Sequence, residues 1–203
     1  MFRRTLALIG TVVVAATCLA STALAARVKV RVEGFTTTIF GAAEPHLSAS
    51  NGLAALDAAS RSGEFYYHVT ETSFGPYVDQ IGRYAAFGSS GWAYKVNGAS
   101  PPVGADKLVL KKGDTVLWYW AFFGLQGGPQ TLLLQHAGRN CYRVYRQDDN
   151  GKKTPALDAV LHAGQRRVKT QGSTQAAVGC IEHRYGVLVR ATLRGSVRSN
   201  ALS

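Results

Sequence analysis

One short amphipathic helix, in a chain that otherwise has the pattern of strands, most constrains the fold. Apolar residues recur at three-residue steps over residues 53–59, Ser50 or Asn51 can cap the start, and Gly63 can end the helix. A sheet accompanied by one helix is covered on one face only. The other face is therefore left to water or to a partner.

A hairpin precedes this helix. Residues 27–33 alternate charged and apolar side chains, which predicts a strand with one buried and one solvated face. Residues 36–40 are rich in β-branched side chains and predict a second strand, reached through a turn at Gly34. Hairpin, helix and further strands together indicate a β-grasp domain, with one helix packed across a mixed sheet.

Two aromatic strand candidates follow the helix, after a strand at residues 65–70 and a predicted loop over residues 74–91. The stretch GWAYKVNG, residues 91–98, places its Trp and Tyr on one side and ends in an Asn-Gly turn. Residues 116–123, VLWYWAFF, are apolar on both faces. The pattern therefore predicts burial on both sides of the sheet, although the helix supplies only one side.

Three covers are open for the second face: the loop of residues 74–91, the rest of the chain, or a ligand. Aromatic rings with few charges suit a flat, partly apolar molecule better than a phosphate or a metal. In that case we expect the ligand contacts among seven residues, which are Tyr77, Trp92, Tyr94, Asn97, Trp118, Tyr119 and Trp120.

The glycine, aromatic and Asn-Gly spacing also carries a family resemblance. The string Gly-Trp-x-Tyr-x-Val-Asn-Gly at residues 91–98 is followed by Leu-x-x-Gly-Asp-x-Val-x-Trp-x-Trp at residues 110–120. Together with the helix start at residues 53–57, these motifs resemble the C-terminal β-grasp domain of the transcobalamin and intrinsic factor family and its bacterial exported relatives. The resemblance covers about residues 26–124.

The resemblance implies a β-grasp fold and allows a corrinoid as ligand. In the vitamin carriers this domain closes over cobalamin that a large helical barrel mainly holds, and no such barrel fits in this sequence. Corrinoid binding therefore does not transfer directly, and we expect no resident cofactor.

The amino terminus predicts export. Arg3 and Arg4 precede an apolar run that ends in small residues before Ala25, which is typical of a signal peptide of residues 1–25 cleaved after Ala25. The run is shorter than the ~20 residues of a membrane-spanning helix, and no second such run follows. Lipoprotein processing at Cys18 is the alternative, although the residues before it depart from the usual signal.

The mature chain divides into two predicted domains, residues 26–126 and 127–203, joined by a Gly and Pro cluster at residues 124–129. Residues 26–128 carry nine lysines and arginines against eight carboxylates, whereas residues 129–203 carry twelve against four. The basic charge of the chain therefore belongs to its second half.

The second domain has the pattern of a small all-β sandwich. Short strand candidates, separated by turn clusters, occur at residues 131–134, 141–145, 159–161, 167–170 and 186–192. The closing segment weakly resembles bacterial immunoglobulin-like repeats. Cys141 and Cys180 remain after signal cleavage, and we expect them to form a structural disulfide in an oxidising compartment.

The sequence favours a secreted or cell-surface binding protein that is not an enzyme and that offers its aromatic sheet face to a small flat ligand or a surface partner. The alternative is an adhesive or structural envelope module, whose basic half holds an anionic wall polymer or membrane surface. No phosphate loop, dinucleotide fingerprint or ordered catalytic triad occurs. Neither the histidine spacing nor the turn at residues 148–151 completes a metal site. We expect no nucleic-acid partner, because the chain is exported and its charges are dispersed.

Overall fold

The computed structural model describes residues 24–124 and 127–203. It confirms a mainly β protein with one short helix among the described residues. The predicted signal peptide lies outside the described residues except for its last two positions. None of the described segments forms a helix long and apolar enough to cross a membrane.

The first part of the chain, residues 24–124, contains eight strands and the helix; the second part is residues 127–203. These elements are β1 (Ala26–Glu33), β2 (Thr38–Phe40), β3 (His46–Ala49), α1 (Gly52–Gly63), β4 (Tyr67–Thr72), β5 (Gly75–Ile81), β6 (Tyr84–Ala85), β7 (Ser90–Val96) and β8 (Thr115–Phe122). The main sheet has the order β2-β1-β8-β7, and β3 pairs with the start of β1. Its central strands β1 and β8 are parallel, and each has an antiparallel outer partner, which is the predicted β-grasp arrangement.

The helix α1 packs on one face of this sheet through Ala55, Leu56 and Ala59, all fully buried. Of the two predicted N-caps, Asn51 is the one used, because its side-chain Oδ1 accepts a hydrogen bond from the backbone N–H of Ala54 at 2.7 Å. The helix ends as Glu64 adopts the left-handed conformation. Val28, Val30 and Val32 of β1 point toward the helix and are fully buried.

The prediction of a loop over residues 74–91 is wrong. This segment forms β5 and β6, which make a separate three-stranded antiparallel sheet with β4. Val78 and Ile81 of β5 are buried in the same core as α1. The turn residues Gly75 and Pro76 lie at the start of β5, next to a projecting hairpin tip where Phe74 is 98% exposed.

The second part of the chain contains nine further strands: β9 (Gln130–Gly138), β10 (Cys141–Gln147), β11 (Lys153–Pro155), β12 (Val160–Ala163), β13 (Arg166–Lys169), β14 (Gln171–Gly172), β15 (Ala177–Cys180), β16 (Val189–Thr192) and β17 (Ser196–Val197). One sheet has the order β14-β15-β10-β9-β17 with β11 beside β10, and the other has the order β13-β12-β16. A single apolar core combines side chains of β9 and β10 with side chains of β12 and β16. Two packed sheets around one core form a small sandwich.

The predicted disulfide is confirmed. Cys141 and Cys180 are bonded to each other and lie directly opposite on the neighbouring strands β10 and β15. The bond therefore links two neighbouring strands of one sheet at the start of β10.

Candidate ligand-binding groove

The second part of the chain covers the sheet face that the helix leaves open. Leu117, Tyr119 and Ala121 alternate along β8 with the residues that face the helix, and all three are buried in a small cluster with Val197 of β17. Of the three covers that the sequence allows, the structure therefore has the rest of the chain on this face.

The predicted solvated face of β1 is also wrong for its second half. Arg31 and Glu33 are 3% and 1% exposed, because Arg198 lies against them. Glu33 pairs with Arg198 through an Nη2–Oε2 distance of 2.8 Å and with Arg31 through an Nη1–Oε1 distance of 3.2 Å. The Nη1 of Arg31 also donates to the carbonyl of Arg198 at 2.6 Å. Buried opposite charges thus join the two parts of the chain at one side of their contact.

A buried lysine joins them at another side. Lys95 of β7 is completely buried, and its Nζ donates to the backbone carbonyl of Asp148 at 2.7 Å and lies 3.3 Å from the carboxylate of Asp149. Burial lowers the pKa of Lys95 below its ordinary value, and the charges of Asp149 and Asp148 offset only part of this decrease. Burial also raises the pKa of the neighbouring Tyr119 to about 12, as does the charge of Asp149. The turn at residues 148–151 therefore binds the side-chain amine of Lys95 from the first part of the chain.

An open groove of about 500 Å³ lies where the end of β1, the end of β8 and the segment around β17 meet. We call it the aromatic groove. Its side-chain walls are Phe35, Trp120, Phe122, Val197 and Arg198, and glycines 34, 124, 127, 128 and 195 form much of the rest. Phe35 and Phe122 are 71% and 65% exposed, so large apolar surface faces solvent there.

Trp120 and Phe122 reach this groove from the end of β8. Both lie on the same face of the strand as Trp118, but nearer its carboxyl end, which borders the groove. Trp118 is buried and donates its indole N–H to the carbonyl of Gly52 in α1 at 3.0 Å. Trp120 instead packs edge-on against Trp92, with ring centroids 5.6 Å apart, and keeps part of its surface in the groove.

Arg198 is held rigidly in the groove wall. Its Nε and Nη2 donate to the Glu33 carboxylate, and its Nη1 and Nη2 donate to the carbonyls of Phe35 and Gly34 at 3.2 and 2.6 Å. These bonds use the edge of the guanidinium plane and neutralise its charge. Of the described residues that line the groove, only Arg198 is charged. The groove is therefore an apolar surface with one fixed cation whose charge is already balanced.

Only one of the seven predicted ligand contacts lies in the aromatic groove, namely Trp120. Trp92 and Trp118 are core residues, 4% and 3% exposed, and Tyr119 is buried under the sandwich. The other three predicted contacts have local roles at the surface: Tyr77, Tyr94 and Asn97.

Those three residues lie apart from the groove. Tyr94 stacks on Trp118 with ring centroids 5.3 Å apart and donates its hydroxyl to a backbone carbonyl. Asn97 adopts a positive φ of 53° in the turn and bonds through both ends of its amide to residues 114 and 115. Tyr77 lies on β5 and is 41% exposed.

Four residues of the groove wall were not among the predicted contacts, namely Phe35, Phe122, Val197 and Arg198. Phe122 lies in the apolar run of residues 116–123, and the position of the pair Phe122-Phe123 at the end of that run is the signal that could have added it to the predicted contacts. Val197 and Arg198 carry no local signal, because β17 reaches the groove by pairing with β9 about 65 residues earlier in the chain.

Among the described residues, no group of three or more His, Cys, Asp or Glu side chains lies close enough together to hold a metal ion.

Comparison with known proteins gives one family match. A family model described as a domain of unknown function, DUF4430, matches residues 53–121. The matched segment runs from the helix to the end of β8 and includes both aromatic strands. No curated protein matches the chain. This part of the chain is thus similar to a domain family whose function is undetermined.

Proposed function

We propose that this is an exported binding protein, and not an enzyme, whose aromatic groove holds a small, flat and largely apolar ligand. The observation that carries the proposal is the exposure of Phe35 and Phe122 beside Trp120 in a groove of about 500 Å³. Small-molecule sites are concave, mostly apolar and often formed where two domains meet. The site differs from the open sheet face expected from the sequence, because the sandwich covers that face.

The resemblance to the C-terminal domain of the transcobalamin family supports a flat ligand of the corrinoid kind. The main sheet has the β-grasp order, and its strand β8 carries Trp118 and Trp120 of the motif on which the resemblance rests. Export is supported by the disulfide, since such bonds persist in oxidising compartments. A binding role is supported by the groove itself, where Arg198, the one charged side chain among the described lining residues, is already bonded to Glu33.

Isothermal titration of the mature chain with a corrinoid and with a porphyrin tests the proposal. Phe122→Ala removes an exposed ring from the groove and should weaken binding about tenfold or more, as expected when one aromatic contact is lost. Phe74→Ala is the matched control, because Phe74 is 98% exposed at the hairpin tip away from the groove. The proposal fails if neither probe binds, or if the two variants bind equally well.

A second function, adhesion to an anionic polymer, is favoured by strand β13. Arg166, Arg167 and Lys169 are exposed on this edge strand, and none of them forms an ion pair with a described residue. Among the described residues, the guanidinium groups of Arg166 and Arg167 donate to backbone carbonyls and to no carboxylate. The positive charges of β13 are therefore available to bind an anionic wall polymer.

Salt-dependent retention on anionic cell-wall material tests this second function. Replacing Arg166, Arg167 and Lys169 together by Gln should move elution to lower salt. The control replaces Lys107, Lys111 and Lys112 together by Gln. These lysines are exposed in the first part of the chain, so this variant loses the same charge. Equal shifts for both triple variants would show a general charge effect and contradict adhesion through β13.

A further inference from the structure

A second cleft lies on the opposite side of the contact between the two parts of the chain. It has a volume of about 290 Å³ and lies between β1, β8 and the Asn97-Gly98 turn on one side and β9 and β10 on the other. We call it the polar cleft. The polar cleft differs from the aromatic groove in that none of the described residues that line it is aromatic.

An unpartnered buried hydroxyl distinguishes the polar cleft from an ordinary gap. Thr131 of β9 lines the cleft and is 1% exposed, yet its Oγ1 has no hydrogen-bond partner among the described residues. A buried polar group without a partner destabilises the folded chain, because it has lost its hydrogen bonds to water and gained none in return. Native proteins retain such a group where a water or a ligand completes its bonding.

Amide side chains accompany this hydroxyl. Gln147 lies directly opposite Thr131 in the β9–β10 register and is 6% exposed, and Gln135 lies farther along the same face of β9. A side chain at position 98 would collide with the Gln147 amide, so Gly98 lets the turn close over it. Amides and hydroxyls both donate and accept hydrogen bonds. The cleft can therefore bond a molecule that itself presents donors and acceptors together.

The charges in the polar cleft argue against an ionic ligand. Arg31 is bonded to Glu44 through an Nε–Oε1 distance of 3.2 Å and to Glu33 at the same distance. The charge of Arg31 is thus already compensated, and the Glu44 carboxylate would repel an anion. Lys153 also lines the cleft, but it is exposed, so water screens its charge. Leu117 and Leu133 add an apolar wall. Neutral hydroxyls on a compact carbon skeleton match amides, a hydroxyl and an apolar wall better than a phosphate, a metal ion or an aromatic ring does.

We infer that the polar cleft binds a neutral, hydroxyl-rich molecule of the size of one sugar unit, with Thr131, Gln135 and Gln147 as its hydrogen-bonding residues. The cleft volume equals that of about ten waters of liquid, at about 30 Å³ for each water. This suits a single sugar unit and is too small for a corrinoid. The inference is independent of the aromatic groove, which lies across the contact and has different chemistry.

Saturation-transfer NMR of the mature chain with glucose, galactose and N-acetylglucosamine tests the inference. At least one of these probes should bind, and Thr131→Val should weaken that binding about fivefold to tenfold, as expected for one lost hydrogen bond. The same variant should not melt at a lower temperature, because the hydroxyl that it removes has no partner in the protein. Thr174→Val is the matched control, since Thr174 is exposed outside the cleft.

Gln135→Leu provides a second variant that cannot threaten the fold, because Gln135 is exposed at the cleft rim. It should also weaken the sugar signal while leaving the melting temperature unchanged. The inference is overturned if no sugar binds the wild-type chain, or if both variants bind as the wild type does. A cleft that holds only water would give the first of these results and would also lower the melting temperature of Thr131→Val.

Discussion

At the scale of single residues, burial, together with Arg167 and Arg190 on the neighbouring strands, disfavours the protonated form of His162. Burial lowers the pKa of His162 below its ordinary value of 6.5, and the charges of Arg167 and Arg190 lower it further. Its Nε2 lies 2.7 Å from the Thr192 hydroxyl, a hydrogen bond available to the neutral ring. The folded chain therefore binds a proton at this site less readily than the unfolded chain does.

Acidification should destabilise the protein through His162. Its contribution to stability is present above pH 6.5 and is lost as the pH falls from 6.5 toward the lower pKa of the folded state, where the unfolded chain takes up the proton first. His162→Gln keeps a hydrogen-bonding group but cannot titrate. Melting temperatures measured between pH 7 and pH 5 should fall more steeply for the wild type than for this variant. Parallel curves would contradict the assignment.

Also at this scale, the strand period separates the two faces of β8 but does not tell what each face contacts. The alternation of Trp118 and Trp120 with Leu117 and Tyr119 follows from the strand period alone. That Tyr119 is buried while Trp120 reaches a groove depends on β17, which arrives from the far end of the chain. Periodicity carries no information about such distant contacts.

At the scale of elements, the strongly patterned segments were predictable and the weakly patterned ones were not. The alternation in β1 buries a stripe of valines and the three-residue steps in α1 bury a stripe of alanine and leucine, as their periods predict. The opposite face of β1 is also buried at Arg31 and Glu33, which its pattern does not predict. In β5, Gly75 and Pro76 resemble turn signals, and a register shift in its pairing with β4 interrupts the alternation. Tertiary packing of Val78 and Ile81, which the local pattern does not reveal, decides the outcome there.

The start of α1 offers a test at the element scale. Asn51→Ala removes the oxygen that accepts the Ala54 backbone N–H, and the free energy of unfolding should fall by about 1 kcal/mol. Asn51→Ser keeps a capping oxygen and should lose far less. Urea denaturation of both variants measures the difference. Equal stabilities would mean that the cap contributes nothing to the helix.

At the scale of the whole molecule, the two parts of the chain share one continuous boundary. An apolar cluster around Tyr119 and Val197 lies at its centre, with the Glu33–Arg198 pair and the Lys95–Asp149 pair beside it. The aromatic groove and the polar cleft both border this contact. Both candidate sites therefore depend on the association of the sandwich with the β-grasp sheet.

Arg198 should be essential to that association. Arg198→Ala leaves the completely buried Glu33 carboxylate with one fewer cation, and the free energy of unfolding should fall by about 3 kcal/mol. Arg194→Ala, an exposed change four residues earlier, is the control and should have little effect. Denaturant unfolding measures both. A small effect of Arg198→Ala would show that the ion pair does not hold the two parts together.

The most direct test of the central claim is quenching of tryptophan fluorescence by iodide, with and without a corrinoid or porphyrin that binds the chain. Trp92 and Trp118 are buried in the core, and Trp120 is the tryptophan that lines the aromatic groove. The free protein should therefore show one fraction of emission that iodide can quench, and the bound ligand should remove that fraction. An accessible fraction that stays unchanged when the ligand is bound would contradict the groove as the binding site.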